Sequence, residues 1–243
     1  MSSTTLASAP ASCCFTGVKH FGTPVGRVID LGGMETYISE PKEQGPQKKV
    51  ILFLADVYGA LYINSKLLQD YFASMGFYVL GPDYFFGDTV PTQPPGFNRD
   101  AWAKSKLAPA KEAFPQWLDA VKEMYGTENT KYCAVGYCFG APFVMDLAAT
   151  DFIEAGALAH PAFLDESHFE KLKKDDHTFP LSSRRRAEDI MVERKALYYF
   201  QVFAGVKHGF SVRGNPDIEQ QRWSKEECAR GVNEWFTRFS RFD

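Results

Sequence analysis

The sequence predicts an α/β fold: one domain built on a mostly parallel β-sheet with helices on both faces. Three observations carry this. Short apolar runs alternate with stretches of helical spacing along most of the chain, the order expected of strands joined by crossover helices. "KKVILFLADV" (48–57) is apolar throughout rather than at every second residue, as a strand covered on both faces requires. A glycine-flanked turn, "GYCFG" (136–140), joins one apolar run to a helix-like one. The length of 243 residues suits a single large domain with a substantial core.

In chain order, residues 1–12 are rich in Ser, Thr and Ala and read as a disordered tail, so the domain is expected over 13–243. "RVIDLGGMETYISEP" reads as a hairpin turning at Gly32-Gly33. After strand 48–57, Ile63, Leu67, Tyr71 and Met75 share one side of a helix that Gly76 ends. "FYVLGPDYF" is a second buried strand. Residues 100–126 give one or two helices, with breaks expected near Pro109 and Pro115. Strand 131–135, a helix over 139–150 and strand 155–161 follow. A helix over "LSSRRRAEDIMVERKA", a strand at 196–203 and a closing amphipathic helix anchored by Trp223, Trp235 and Phe239 complete the reading.

Composition narrows the function classes. A net charge of −3 provides no long-range attraction for nucleic acid or an anionic membrane, and "RRR" at 184–186 reads as a solvated helix face. No apolar stretch approaches the roughly 20 residues of a membrane span, and the start has no signal-peptide pattern. Five cysteines in a chain this large do not suggest a disulfide framework, so a reducing cytoplasmic location is expected. Cys13 and Cys14 are adjacent and no Cys or His pair has zinc-ligand spacing. No metal and no cofactor are expected. Cys133 reads as a core residue, Cys228 lies in a charged helix, and only Cys138 has a chemical context.

That context is the sharp strand-to-helix turn, Gly-x-nucleophile-x-Gly, of an α/β-hydrolase. In that fold the nucleophile is followed by an acid and then a His. "YYFQVFAGVKHGF" places His208 after a late apolar run, which makes it the candidate base. His160, in "LAHPAF", is the rival, but it precedes any candidate acid and is expected to buttress the site. Asp176, in "DDHTFP", is the candidate acid; the plainer reading is a pair of solvated loop carboxylates.

"ADVYG" (55–59), "GPDYF" (81–85), "GYCFGA" (136–141), "AHP" (159–161), "DHTFP" (176–180) and "VKHGFSVRG" (206–214) stand in this order. Through them the chain resembles the dienelactone hydrolase family. The resemblance implies an α/β-hydrolase fold with Cys138 as nucleophile, His208 as base and Asp176 as orienting acid. By the same analogy the backbone N–H groups of Val57 and Phe139 would form the oxyanion hole, and Asp56 would occupy the place of the carboxylate beside the resting thiol. One departure stands out. Family members carry a core strand before the acid, whereas here Lys173-Lys174 runs straight into Asp175-Asp176. About 5–9 residues, one strand's worth, are missing.

The expected reaction is hydrolysis of small activated esters or enol lactones through a thioester. The alternatives are a thioesterase or carboxylesterase of secondary metabolism, or a ligand-binding homologue with impaired catalysis. Tyr58, Tyr84 and Tyr137 are candidates for a substrate pocket, against ordinary core packing. Arg213 is a candidate partner for a substrate carboxylate, against a surface ion pair. The expected partner is a small-molecule ester or lactone, with no nucleic acid and no membrane, and the chain a monomer or dimer.

Overall fold

A computed structural model describes residues 4–10, 17–171 and 181–242. In chain order its elements are β1 (Thr5–Ala7), β2 (Arg27–Leu31), β3 (Met34–Ser39), β4 (Lys48–Leu54), α1 (Ile63–Ser74), β5 (Tyr78–Pro82), α2 (Arg99–Tyr125) and β6 (Thr130–Tyr137). Then come a 3-10 turn (Cys138–Gly140), α3 (Ala141–Ala148), β7 (Ala155–Ala159), β8 (Leu164–Asp165), α4 (Glu166–Glu170), α5 (Leu181–Arg194), α6 (Phe210–Arg213) and α7 (Glu219–Phe239). The main sheet has the order β2-β3-β5-β4-β6-β7. β4 pairs in parallel with β5 and β6, and β6 with β7, while the β2–β3 hairpin adds antiparallel to β5.

The apolar run at 48–54 has no polar face because the sheet has two covered faces. Val50, Leu52 and Leu54 point into one core cluster, with Trp117 of α2 and Phe143 of α3. Ile51 and Phe53 point into the other, with Phe72 of α1 and Phe236 of α7. The two-residue period of a strand makes that division.

Three expectations are corrected. Pro109 and Pro115 do not break α2, which is continuous over Arg99–Tyr125. Both prolines lie on its exposed side, whereas Trp102, Ala103, Ala110, Phe114, Trp117 and Val121 are buried. The carbonyls that lose a partner therefore face water, and the buried stripe holds the helix. Within the expected 1–12 tail, Thr5–Ala7 is a strand paired antiparallel with β8, and Leu6 and Ala7 are buried. Trp223 is no core anchor at 46% exposure; Phe236 is fully buried in its place.

The C-terminal half bears on the missing strand. Among the described residues β7 is the last strand of the main sheet. The strand expected at 196–203 does not form: only Phe200 makes an isolated bridge, and Leu197, Tyr199 and Val202 are exposed. A strand joins a sheet only beside a neighbour that offers free N–H and C=O groups. Among the described residues no strand pairs with the outer side of β7, and this apolar segment joins no ladder. It is held instead by packing, with Phe203 against Phe210 and Trp223, and by the Gln201 amide, which donates to the Glu227 carbonyl at 3.3 Å.

Candidate active site

β6 runs straight into the turn that carries Cys138. This residue has φ +50°, a left-handed conformation that costs a residue with a Cβ about 1–2 kcal/mol. Its flanking glycines are needed for space. A Cβ on Gly140 would lie 2.1 Å from the Leu54 carbonyl oxygen, and one on Gly136 would lie 2.8 Å from that of Gly140. The elbow is thus pressed against the end of β4, beside the Ala55–Val57 loop. The Ala162 N–H donates to the Cys138 carbonyl at 3.0 Å, and Cys138 is fully buried.

His208 comes from the segment after 196–203, between Gly205 (φ +75°) and Gly209 (φ +88°). His160 arrives from the end of β7, with φ +42°. One ligand atom from each of Cys138, His160 and His208 lies within 4.8 Å of the others. The two imidazole rings are 4.7 Å apart. His160 Nε2 and Ser211 Oγ share a hydrogen bond of 2.7 Å. Burial, and then the neighbouring His208, push the His160 pKa well below its usual value, so this imidazole is neutral. His208 Nε2 is buried with no hydrogen-bond partner among the described residues. Asp176 lies outside the described residues.

Asp56 and Arg213, expected at separate tasks, are each other's partner. Arg213 Nη1 forms an ion pair with Asp56 Oδ2, and both side chains are almost completely buried. Asp56 Oδ1 accepts the Tyr58 N–H at 2.9 Å, and the Arg213 guanidinium lies 4.6 Å from the centre of the half-buried Tyr58 ring. Arg213 is therefore neither a surface cation nor one awaiting an anion.

The tyrosines divide in the same way. Tyr84 is 1% exposed and its hydroxyl donates to the Ala55 carbonyl. Its ring stacks on Phe143 at 5.2 Å and packs against Phe85 and Phe139 under the elbow. Burial first, then Cys138 and Asp83, push its pKa well up. Tyr137 is also 1% exposed, and it turns to the other face of the sheet, against Phe53 and in the cluster that holds Cys228. Both are core residues, one packed in each of the two layers. Of the three expected pocket tyrosines, Tyr58 alone is more than marginally exposed. Val57 and Phe139 are fully buried, one on each side of the β4–elbow contact. The Cys133 thiol, fully buried in β6, is pushed up to about 12 by burial, as befits an inert core residue.

Sequence reasoning found Cys138, His208 and His160 but missed Ser211 and Asn64. Asn64, at the start of α1, donates to the carbonyls of Val18 and Val212 at 2.8 and 3.1 Å and accepts the His20 N–H at 2.8 Å. Ser211 lies within "VKHGFSVRG", but that stretch is read only for His208 and Arg213; Asn64 stands in no motif, and only the fold brings their segments together.

Comparison with known proteins agrees with the architecture. The dienelactone hydrolase family profile matches residues 34–240. "Dienlactone hydrolase 1" of Gibberella moniliformis is 36% identical over 246 aligned positions, covering 95% of this chain and 94% of that one. "Hydrolase tropI" of Talaromyces stipitatus is 32% identical, covering 96% and 98%. A solved structure from Klebsiella pneumoniae, assigned as a dienelactone hydrolase, superposes with a TM-score of 0.71 at 14% identity, covering 89% of this chain and 99% of that one. Sequence, elbow and sheet together place the chain in the dienelactone hydrolase family, with the α/β-hydrolase fold.

Proposed function

We propose that the protein hydrolyses small, uncharged activated esters, enol lactones among them, with Cys138 as nucleophile, His208 as base and Asp176 as the acid that orients it. The observation that carries this is the thiol on a strained, glycine-flanked elbow within 4.8 Å of a His208 ring nitrogen. The imidazole takes the thiol proton, sulfur attacks the acyl carbon, and the backbone N–H groups of Val57 and Phe139 hold the oxyanion. Collapse expels the leaving group with the proton from His208, and water then opens the thioester. A thiolate leaves more readily than an ordinary alkoxide, so simple alkyl esters return to starting material. An enol or aryl leaving group drives the intermediate forward.

The restriction to uncharged substrates follows from Arg213. Its charge is buried and already neutralised by Asp56. A substrate carboxylate that took it would leave Asp56 buried without its cation, at a cost of several kcal/mol. Where some members of the resembled family place a second arginine shortly after "PD", "GPDYFFGD" has none.

Cys138→Ala is expected to lower kcat/KM for an aryl ester by at least about a thousandfold, which is some 4 kcal/mol of transition-state stabilisation, with the thermal midpoint held within a few degrees. A panel comparing a neutral enol lactone, its carboxylated analogue, an aryl ester and an acyl thioester fixes the class. Activity that survives Cys138→Ala would falsify the nucleophile assignment. Preference for the carboxylated lactone sinks the argument from Arg213.

A further inference from the structure

Three chain segments far apart in sequence bring sulfur and two imidazoles together at the elbow: Cys138 after β6, His160 after β7 and His208 before α6. The hydrolytic reaction uses two of them. His160 has no step of its own, yet it is only 8% exposed and hydrogen-bonded at the site. Its Nε2 bonds to Ser211 Oγ at 2.7 Å, and its Nδ1 is buried with no hydrogen-bond partner among the described residues. In the tautomer whose Nε2–H donates to Ser211 Oγ, Nδ1 would hold the lone pair, the arrangement of metal-binding histidines, where the outer hydrogen bond sets the ring's orientation.

We propose that Cys138, His160 and His208 form a three-ligand site for a soft or borderline divalent cation, Zn2+ above all, which reversibly caps the nucleophile. Thiolate and imidazole are the donors such ions prefer. At zinc bond lengths, tetrahedral ligand atoms stand about 3.5 Å apart. The three atoms here lie within 4.8 Å, so an ångström or so of closure completes the site. His208 can supply it, because it is flanked by Gly205 and Gly209, both at positive φ, and belongs to no strand or helix. Cys138, on the turn after β6, and His160, at the end of β7, are the partners it closes on. Binding displaces the thiol proton to solvent, forms one bond from sulfur and one from each imidazole, and breaks none besides S–H. The fourth position stays open to water. A sulfur so held can neither attack an acyl carbon nor react readily with oxidants. No spacing in the sequence announces this site, because its ligands are separated by 22 and 48 residues.

The full-length protein with Co2+ as an optical probe tests this. One equivalent of Co2+ is expected to give a thiolate-to-metal charge-transfer band in the near ultraviolet, which Zn2+ abolishes. Cys138→Ser removes the band and thereby excludes Cys13, Cys14, Cys133 and Cys228 as its source. His160→Gln weakens Co2+ binding about tenfold or more, and Ser211→Ala, milder for folding, weakens it about tenfold as the loss of an outer partner does. Zn2+ also slows alkylation of Cys138 by iodoacetamide, and EDTA restores the rate. Absence of the band, or a band of undiminished affinity in Cys138→Ser or in both His160→Gln and Ser211→Ala, overturns the proposal. Circular dichroism shows whether each variant is folded. Because the readout is metal absorption and not turnover, it stands or falls apart from the hydrolase assignment.

Discussion

Cys138 and His208 meet at one edge of the sheet but are delivered by unlike constructions. Cys138 ends a strand laddered on both sides, to β4 through seven residue pairs and to β7 through five. His208 follows a segment with no ladder, and its position is set from downstream. Four consecutive residues just after it are each tied to a different part of the molecule. The Ser211 hydroxyl bonds to His160, the Val212 carbonyl accepts from Asn64, Arg213 pairs with Asp56, and the Gly214 carbonyl bonds to His20 Nε2. The difference teaches how two unlike supports hold the two halves of one site. A backbone ladder spreads its support over many equivalent hydrogen bonds, whereas a side-chain clamp rests on a few unlike contacts. Each of these can be removed alone.

The largest break in the comparison is expected at Arg213. Arg213→Met removes the cation and leaves Asp56 charged in a buried place, a loss of about 3–5 kcal/mol measurable by urea unfolding. Adding Asp56→Leu removes the stranded charge and should recover most of that loss. A single variant that unfolds within 1 kcal/mol of the parent would show that the clamp is not what holds the C-terminal half. Gly140→Ala attacks the laddered side. The new Cβ must displace the Leu54 carbonyl, 2.1 Å away, and overpacking of this kind costs about 2–3 kcal/mol. The same urea experiment reads it. Iodoacetamide reactivity at Cys138 should change alongside, since its sulfur moves with the elbow.

The laddered side was the legible side. Continuous apolar runs gave β4 and β5, the Gly32-Gly33 pair gave the hairpin, and the glycine spacing around Cys138 gave the elbow. These are signals written into neighbouring residues. The gap read before Asp176 falls within residues 172–180, outside the described residues. Residues 196–203 have the composition of a strand, and composition cannot report whether a neighbouring strand offers them an edge. For the same reason Arg213 and Asp56 read as two separate functional groups. Their pairing joins positions 157 residues apart, and no local pattern encodes it. Tyr84 and Tyr137 failed differently: the chain placed them near strand ends, as expected, but which layer each ring enters depends on strand register.

The mildest strain on the clamp comes from acid, through His20. Its Nε2–H donates to the Gly214 carbonyl at 2.8 Å, and its backbone N–H bonds to Asn64, while the adjoining Val18 N–H reaches the Arg213 carbonyl at 3.3 Å. Burial lowers the His20 pKa; the Gly214 bond opposes this and nearby Lys225 adds to it. A folded-state pKa below the unfolded value of about 6.5 means that the unfolded chain binds more protons as pH falls. Stability is therefore complete above about pH 6.5 and declines below it, down to the folded-state pKa. In His20→Gln that share of the decline is absent, so its stability falls less between pH 7.5 and pH 5 than the parent's. At pH 7.5 the variant differs from the parent by about 1 kcal/mol or less, the worth of one hydrogen bond. Urea unfolding at the two pH values measures both quantities, and equal slopes for the two proteins would mean that His20 protonates without loosening the segment it holds.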